Sequence, residues 1–142
     1  MLKGIAKLIS PELMMILMKM GHGDELVLAD GNFPADSHAQ RVVRADGLGA
    51  TAVLEAIMPL FPLDTFVEDP VLVMRPVDVS WDEPEIWGEF RRVLAIDDPT
   101  PVGLKPLERF EFYDRARQAY AIVATGESAL YANLILKKGV VQ

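Results

Sequence analysis

The stretch Met20–Asp36, MGHGDELVLADGNFPAD, decides how the rest of the chain is read. Its centre is a run of four apolar residues, Leu26 to Ala29, bounded by carboxylates and glycines. A strand with one wet face alternates apolar and polar residues, whereas an unbroken apolar run suits a strand covered on both faces. Upstream, Ser10 and Pro11 form a helix start, a side-chain cap followed by a residue whose φ is already helical, and Gly21 is a natural stop. The reading is therefore a helix from Pro11 to Met20 that feeds a buried strand, the signature of an α/β sandwich.

Outward from there the alternation continues. QRVVRADGLGATAVLEAIMPLFP reads as a short extended piece, a glycine turn and a helix carrying Val53, Leu54, Ile57 and Leu60, ended by Pro62. DTFVEDPVLVMRPVDV supplies two strand candidates broken at Pro70. DEPEIWGEFRRVLAI places Ile86, Phe90, Val93 and Leu94 along one helical face. PLERFEFYDRARQAY is a further helix with Phe110 in the core, and AIVATGESALYANLILKKGV holds two strands around a turn at Gly126. The expected architecture is α/β: a single three-layer α/β/α domain over residues 1–142, with a mostly buried central sheet.

The chain has 142 residues, enough for one core and few for two. A net charge of −7, from 21 acidic and 14 basic residues, disfavours nucleic acid and anionic membrane as partners. With no cysteine, thiol catalysis and thiolate metal sites are excluded. The N-terminal lysines ahead of LMMILM imitate a signal peptide, but Pro11, Glu12 and Lys19 interrupt the pattern and no small-residue cleavage site follows, so this is read as an internal helix of a cytoplasmic protein.

The local motifs carry competing readings. GLGAT at Gly47–Thr51 precedes a helix, yet lacks the P-loop lysine and the third glycine of a dinucleotide fingerprint, so a tight helix-entry turn fits it better than a phosphate cradle. His22, Asp24, Asp30, Asp36 and His38 are metal-ligand types at spacings that match no recognised cage. His22 is either a cation beside the last carbonyls of the first helix or an uncrowded acid–base group between two glycines. Tyr131 and Asn133 lie two apart, which on a strand sends both side chains to one face; such a pair is more often a polar edge or a tyrosine packed beneath a loop, although a ring and an amide also suit the C–H face and the hydroxyls of a sugar. Arg109 and Tyr113 are one helical turn apart, a spacing more often found in a surface packing pair than in a site, and Asp64 after FPL is compatible with a simple turn.

Taken together, LISPEL, MGHGDELVLADGNFPA, RADGLG, PLDTFVEDPVLVM, ERFEFYDRA and VATGESALYANLILKKGV resemble the L-fucose mutarotase family, the fucose branch of the ribose pyranase/fucose mutarotase superfamily. The resemblance runs from near residue 2 to near residue 140. It implies an isomerase of carbohydrate metabolism that interconverts the α and β anomers of L-fucose. His22 is then the proton donor, with Asp64 and Tyr113 as further catalytic groups, and Asp30, Met74, Arg109, Tyr131 and Asn133 contact the sugar. The ribose branch is expected to carry histidine where Arg109 stands, so D-ribose pyranase is the alternative, together with a monosaccharide-binding protein that does not catalyse. Mutarotation moves only protons, so no metal, nucleotide or flavin is implied. The resemblance also implies a homo-decamer of two stacked pentameric rings. This assembly bears on a geometric difficulty: if residues 22–30 were all extended, His22 and Asp30 would be roughly 26 Å apart at about 3.3 Å per residue. Either the glycine loop doubles back or the two groups meet across a subunit boundary.

Overall fold

The computed structural model describes residues 1–78, 82–96 and 102–142. Its frame is one six-stranded sheet made of β1 (Glu25–Ala29), β2 (Val42–Ala45), β3 (Val71–Met74), β4 (Lys105–Leu107), β5 (Ala121–Thr125) and β6 (Leu134–Lys137). The order across the sheet is β2-β5-β1-β6-β3-β4. β2, β5 and β1 run parallel, as do β3 and β4, and β6 is antiparallel to both of its neighbours, β1 and β3. Five strands therefore point one way, and β6 alone runs back between them.

The helices are α1 (Pro11–Lys19), α2 (Ala35–His38), α3 (Ala50–Ile57), α4 (Glu85–Leu94) and α5 (Arg109–Gln118). Every residue of β1 is buried, and its side chains divide between two cores. Leu26 and Leu28 join Leu13 and Ile16 of α1, Leu54 of α3 and Phe90 of α4 on one face. Val27 and Ala29 join Phe33, Phe112 and Ala116 on the other, beneath α2 and α5. The apolar run read from the sequence is thus a strand between two helical layers. Ser10 Oγ accepts from Leu13 N at 3.1 Å, the expected cap of α1. Buried Glu25, at the start of β1, takes a two-pronged bond from Arg115 of α5 and a longer contact from Lys137 Nζ, so the only carboxylate of the strand is neutralised where it enters the core.

Several local expectations are corrected. Of the two strand candidates in residues 64–79, only β3 forms; the residues before Pro70 are loop, because Asp64 folds the chain into a turn by accepting from Phe66 N at 3.0 Å. The end of that stretch, Val79, lies outside the described residues. The two strands expected around Gly126 form, but they are not neighbours in the sheet. β5 and β6 both flank β1, and residues 126–133 carry the chain past it. Gly126 is required for another reason, since a Cβ there would meet Asp46 O at 1.8 Å. The helix expected over PLERFEFYDRARQAY starts later, at Arg109, leaving Lys105–Leu107 as an edge strand. Phe110 is 60% exposed, not core. Phe112 and Ala116, four apart, form the inward face of α5, and Phe110 lies round the helix from them.

Candidate active site

In a sheet with parallel strands, ligands bind beyond the carboxyl ends, where loops diverge. Here that edge collects Asp30 after β1, Met74 at the end of β3, Arg109 after β4 and Asn133 just before the reversed β6. A cleft of about 200 Å³ is lined by these four residues and by Tyr113 and Tyr131, with Asn32, Phe33, Val77 and Leu130 completing the wall. Six of the eight residues singled out from the sequence therefore converge.

Asp30 and Asn133 are both buried and interlocked. Asp30 N donates to Asn133 Oδ1 at 2.8 Å, and Asn133 Nδ2 donates to Asp30 Oδ2 at 2.9 Å. Asp30 Oδ1 accepts from Asn32 N at 3.0 Å. Burial pushes the Asp30 carboxyl above its ordinary range, and these hydrogen bonds oppose the shift without cancelling it. Arg109 Nε supplies the complementary chemistry: among the described residues it is the one buried side-chain nitrogen or oxygen that finds no protein partner. An unpaired buried donor beside a buried acceptor suits a ligand bearing several hydroxyls. Tyr113 is half-buried against Phe33, with ring centroids 5.5 Å apart, and against His38 at 5.2 Å.

Tyr131 and Asn133 do line the cleft together, but not as alternate residues of a strand. Both precede β6, and Tyr131 has φ +59°, a left-handed conformation that breaks strand alternation. Tyr131 thus reaches the cleft wall, but not by the strand geometry expected for it. Phe33, Val77 and Leu130 were not singled out from the sequence; each adjoins a residue or block that was, which is the only trace they leave there.

His22 and Asp64 lie elsewhere. They precede β1 and β3, so they sit at the amino-terminal edge of the parallel strands, and β1 alone separates them from the cleft by about 16 Å at 3.3 Å per residue. The glycine loop does not double back, although Gly23, at φ +86°, turns the chain into β1. His22 Nε2 lies 3.2 Å from Asp64 Oδ1. The imidazole is 46% exposed while the carboxylate beneath it is 3% exposed. The Phe66 N–H, and after it the His22 ring, hold the Asp64 carboxyl below its ordinary range, outweighing its desolvation. The bland reading of His22 as a helix-end cation fails here. Lys138 Nζ takes the carbonyls of Leu17 and Met20 at 3.4 and 2.5 Å, and His22 turns away toward Asp64. The exposed Phe66 packs obliquely on His22, with centroids 5.4 Å apart.

The remaining motifs resolve structurally. Gly49 is the N-cap of α3, and the Glu127 carboxylate accepts from Ala50 N at 3.1 Å, occupying the position a phosphate would take in GLGAT. Asp24 accepts from Gly21 N, and His38 bonds Ser37 Oγ and Arg117 Nη2, so the five metal-ligand types are dispersed. Among the described residues no three histidines or carboxylates are grouped to hold an ion.

The model of the RbsD / FucU transport protein family matches residues 3–141. The chain belongs to that family. Human fucose mutarotase is 51% identical to it, over 98% of this chain and 94% of the human protein. An L-fucose mutarotase from Haemophilus influenzae (strain PittGG) is likewise 51% identical, over 99% of this chain and 97% of its own. The crystal structure of a fucose mutarotase in complex with L-fucose, from Streptococcus pneumoniae, superposes with a TM-score of 0.91 at 48% identity and covers 99% of this chain and 100% of that one. The RbsD / FucU fold thus extends over nearly the whole chain, including the loops that carry the cleft and the His22–Asp64 pair.

Proposed function

We propose that the protein is an L-fucose mutarotase, a single-domain isomerase that interconverts the α and β anomers of the free sugar. The carrying observation is the cleft itself, whose lining combines the interlocked Asp30–Asn133 pair, Arg109 with its unpaired Nε donor, and two tyrosines. That arrangement recognises a neutral polyol, and the similarity to fucose mutarotases selects the sugar. Arg109 also stands where the ribose branch is expected to carry histidine, which favours fucose over ribose.

The chemistry is proton transfer in two directions. A base takes the proton from the anomeric hydroxyl as an acid protonates the ring oxygen. The bond between C1 and the ring oxygen breaks and the free aldehyde forms. Rotation about C1–C2 presents the other carbonyl face, and the steps reverse to the second anomer. Asp30 accepts from sugar hydroxyls, Arg109 donates to them, and Tyr131 and Met74 cover the apolar face. Tyr113, whose hydroxyl can give or accept a proton, is the catalytic group within the same chain. His22 is the principal acid–base group, oriented by Asp64 as an imidazole is held by a buried carboxylate in other acid–base sites.

Because His22 and Asp64 are one strand length from the cleft of their own chain, a neighbouring copy brings them to it. The ring-forming homo-oligomer that the family resemblance implies, a decamer of two pentamers acting in the cytoplasm, supplies such neighbours. Beside Asp64 runs a groove of about 860 Å³ walled by Leu60, Phe61, Pro62, Val67 and Val93, an apolar surface suited to a subunit contact. The separation also supports a second reading, a sugar-binding protein without catalysis, which would follow if the two edges never met.

Saturation-transfer NMR between the α and β anomeric protons of L-fucose tests the proposal. The wild-type protein accelerates exchange, and His22→Asn, which removes the titratable group and keeps hydrogen-bonding capacity, slows it by about a hundredfold or more while sugar still binds. Binding without accelerated exchange in the wild type would establish the non-catalytic reading instead.

A further inference from the structure

Tyr131 is the one non-glycine residue at positive φ among those described, and a bulky side chain does not adopt that conformation unless its surroundings impose it. Two bonds hold it. Val77 N donates to the Tyr131 hydroxyl at 3.2 Å, fixing the tip of the ring. On the backbone side, the indole Nε1–H of Trp87 donates to the Tyr131 carbonyl at 3.0 Å. Trp87 belongs to α4, on the opposite face of the sheet from α5, and is 1% exposed among the side chains of the α1–α3–α4 core. It lines no part of the cleft. A buried indole nevertheless needs a hydrogen-bond partner, and here the carbonyl of a cleft residue is that partner.

We infer that Trp87 is a positioning residue for sugar binding, fixing Tyr131 in its left-handed conformation so that the ring is already set over the cleft when the sugar arrives. The inference rests on the mutarotase reading of the cleft. Trp87 touches no sugar and moves no proton; it acts by sparing the ordering of Tyr131 at each binding event. Its loss should therefore appear in sugar affinity and not in the proton-transfer step, which belongs to His22, Asp64 and Tyr113.

The test is Trp87→Phe, which retains an aromatic ring in the core and deletes the donor. In anomer-exchange NMR with varied L-fucose, KM is expected to rise about threefold to tenfold, the scale of one hydrogen bond, with kcat within about twofold of wild type. An unchanged KM, or a fall in kcat at constant KM, would overturn the inference. A second measurement does not depend on the variant folding. In wild-type protein labelled with 5-fluorotryptophan, the ¹⁹F resonance of Trp87, assigned through Trp81→Phe, should be a single line in sugar-free protein and keep its position as L-fucose saturates the cleft, because its bond to Tyr131 is already formed. A Trp87 resonance that is split or broadened without sugar and collapses to one line as sugar binds would equally overturn it. If wild-type protein neither bound L-fucose nor exchanged its anomers, the mutarotase reading would fall and this inference with it; normal wild-type behaviour with an unaffected Trp87→Phe would remove this inference alone.

Discussion

Replacing Asn133 with alanine should damage the protein in two separable ways. The amide is 3% exposed and completes two bonds to one residue, accepting from Asp30 N at 2.8 Å and donating to Asp30 Oδ2 at 2.9 Å. Its removal leaves a buried backbone N–H without a partner, at about 1–3 kcal/mol, and deprives a buried carboxylate of a charge-assisted bond worth about 1.5–3 kcal/mol. Asn32 N still serves Oδ1, so the carboxylate is not wholly orphaned, and a net destabilisation of about 3–5 kcal/mol is expected. For a chain of this size that corresponds to a melting temperature lower by about 10–17 °C. Urea denaturation followed by circular dichroism at fixed protein concentration gives the stability; sugar affinity is read by NMR titration on the folded variant. Affinity should fall as well, because Asp30 is no longer aimed into the cleft. A loss below about 1 kcal/mol with unchanged affinity would refute the claim that this pair is the cleft's acceptor.

Arg109→His should shift relative exchange rates from L-fucose toward D-ribose, since a planar fork with a buried free Nε gives way to a smaller ring with different donor geometry; equal losses on both sugars would make Arg109 structural. Acidification should weaken sugar binding at a pH above the ordinary aspartate range, because burial raises the Asp30 carboxyl, and Asp30→Asn should remove that step. In stability the same shift acts with opposite sign to that of Asp64. The folded chain protonates Asp30 more readily than the unfolded one, so this contribution declines as pH rises through the raised value. The Asp64 contribution is present above the ordinary aspartate range and is lost as pH falls through the lowered value. Urea titrations of Asp30→Asn and Asp64→Asn across this range separate the two.

What could be read in the sequence depended on how local the physics was. The four-residue apolar run of β1 and the Ser10–Pro11 start of α1 are set by near neighbours, and both are found as expected. The antiparallel insertion of β6 between β1 and β3 is a long-range choice, which the turn expected at Gly126 does not determine. Phe110 was assigned to the core because an aromatic residue usually belongs there, whereas the phase of α5 is set by Phe112 and Ala116. Within the site, His22 stood out by residue type and Asp64 only through the family resemblance, and their pairing joins positions 42 apart and depends on how β1 and β3 align. Trp87 left no chemical signal, since its partner is the backbone carbonyl of a residue 44 positions later.

The central claim is that a cleft from one chain works with the His22–Asp64 pair of another, and mixing two defective chains tests it most directly. His22→Asn retains the cleft, and Arg109→Ala retains the histidine pair. Each is expected to exchange L-fucose anomers poorly alone at sugar well below KM. Unfolded together at equal amounts and reassembled, they should place an intact cleft beside an intact pair at about one site in four, restoring about a quarter of wild-type exchange if the site spans two subunits. Activity in the mixed assembly no greater than the mean of the two separate variants would contradict the account and return the catalytic histidine to its own chain.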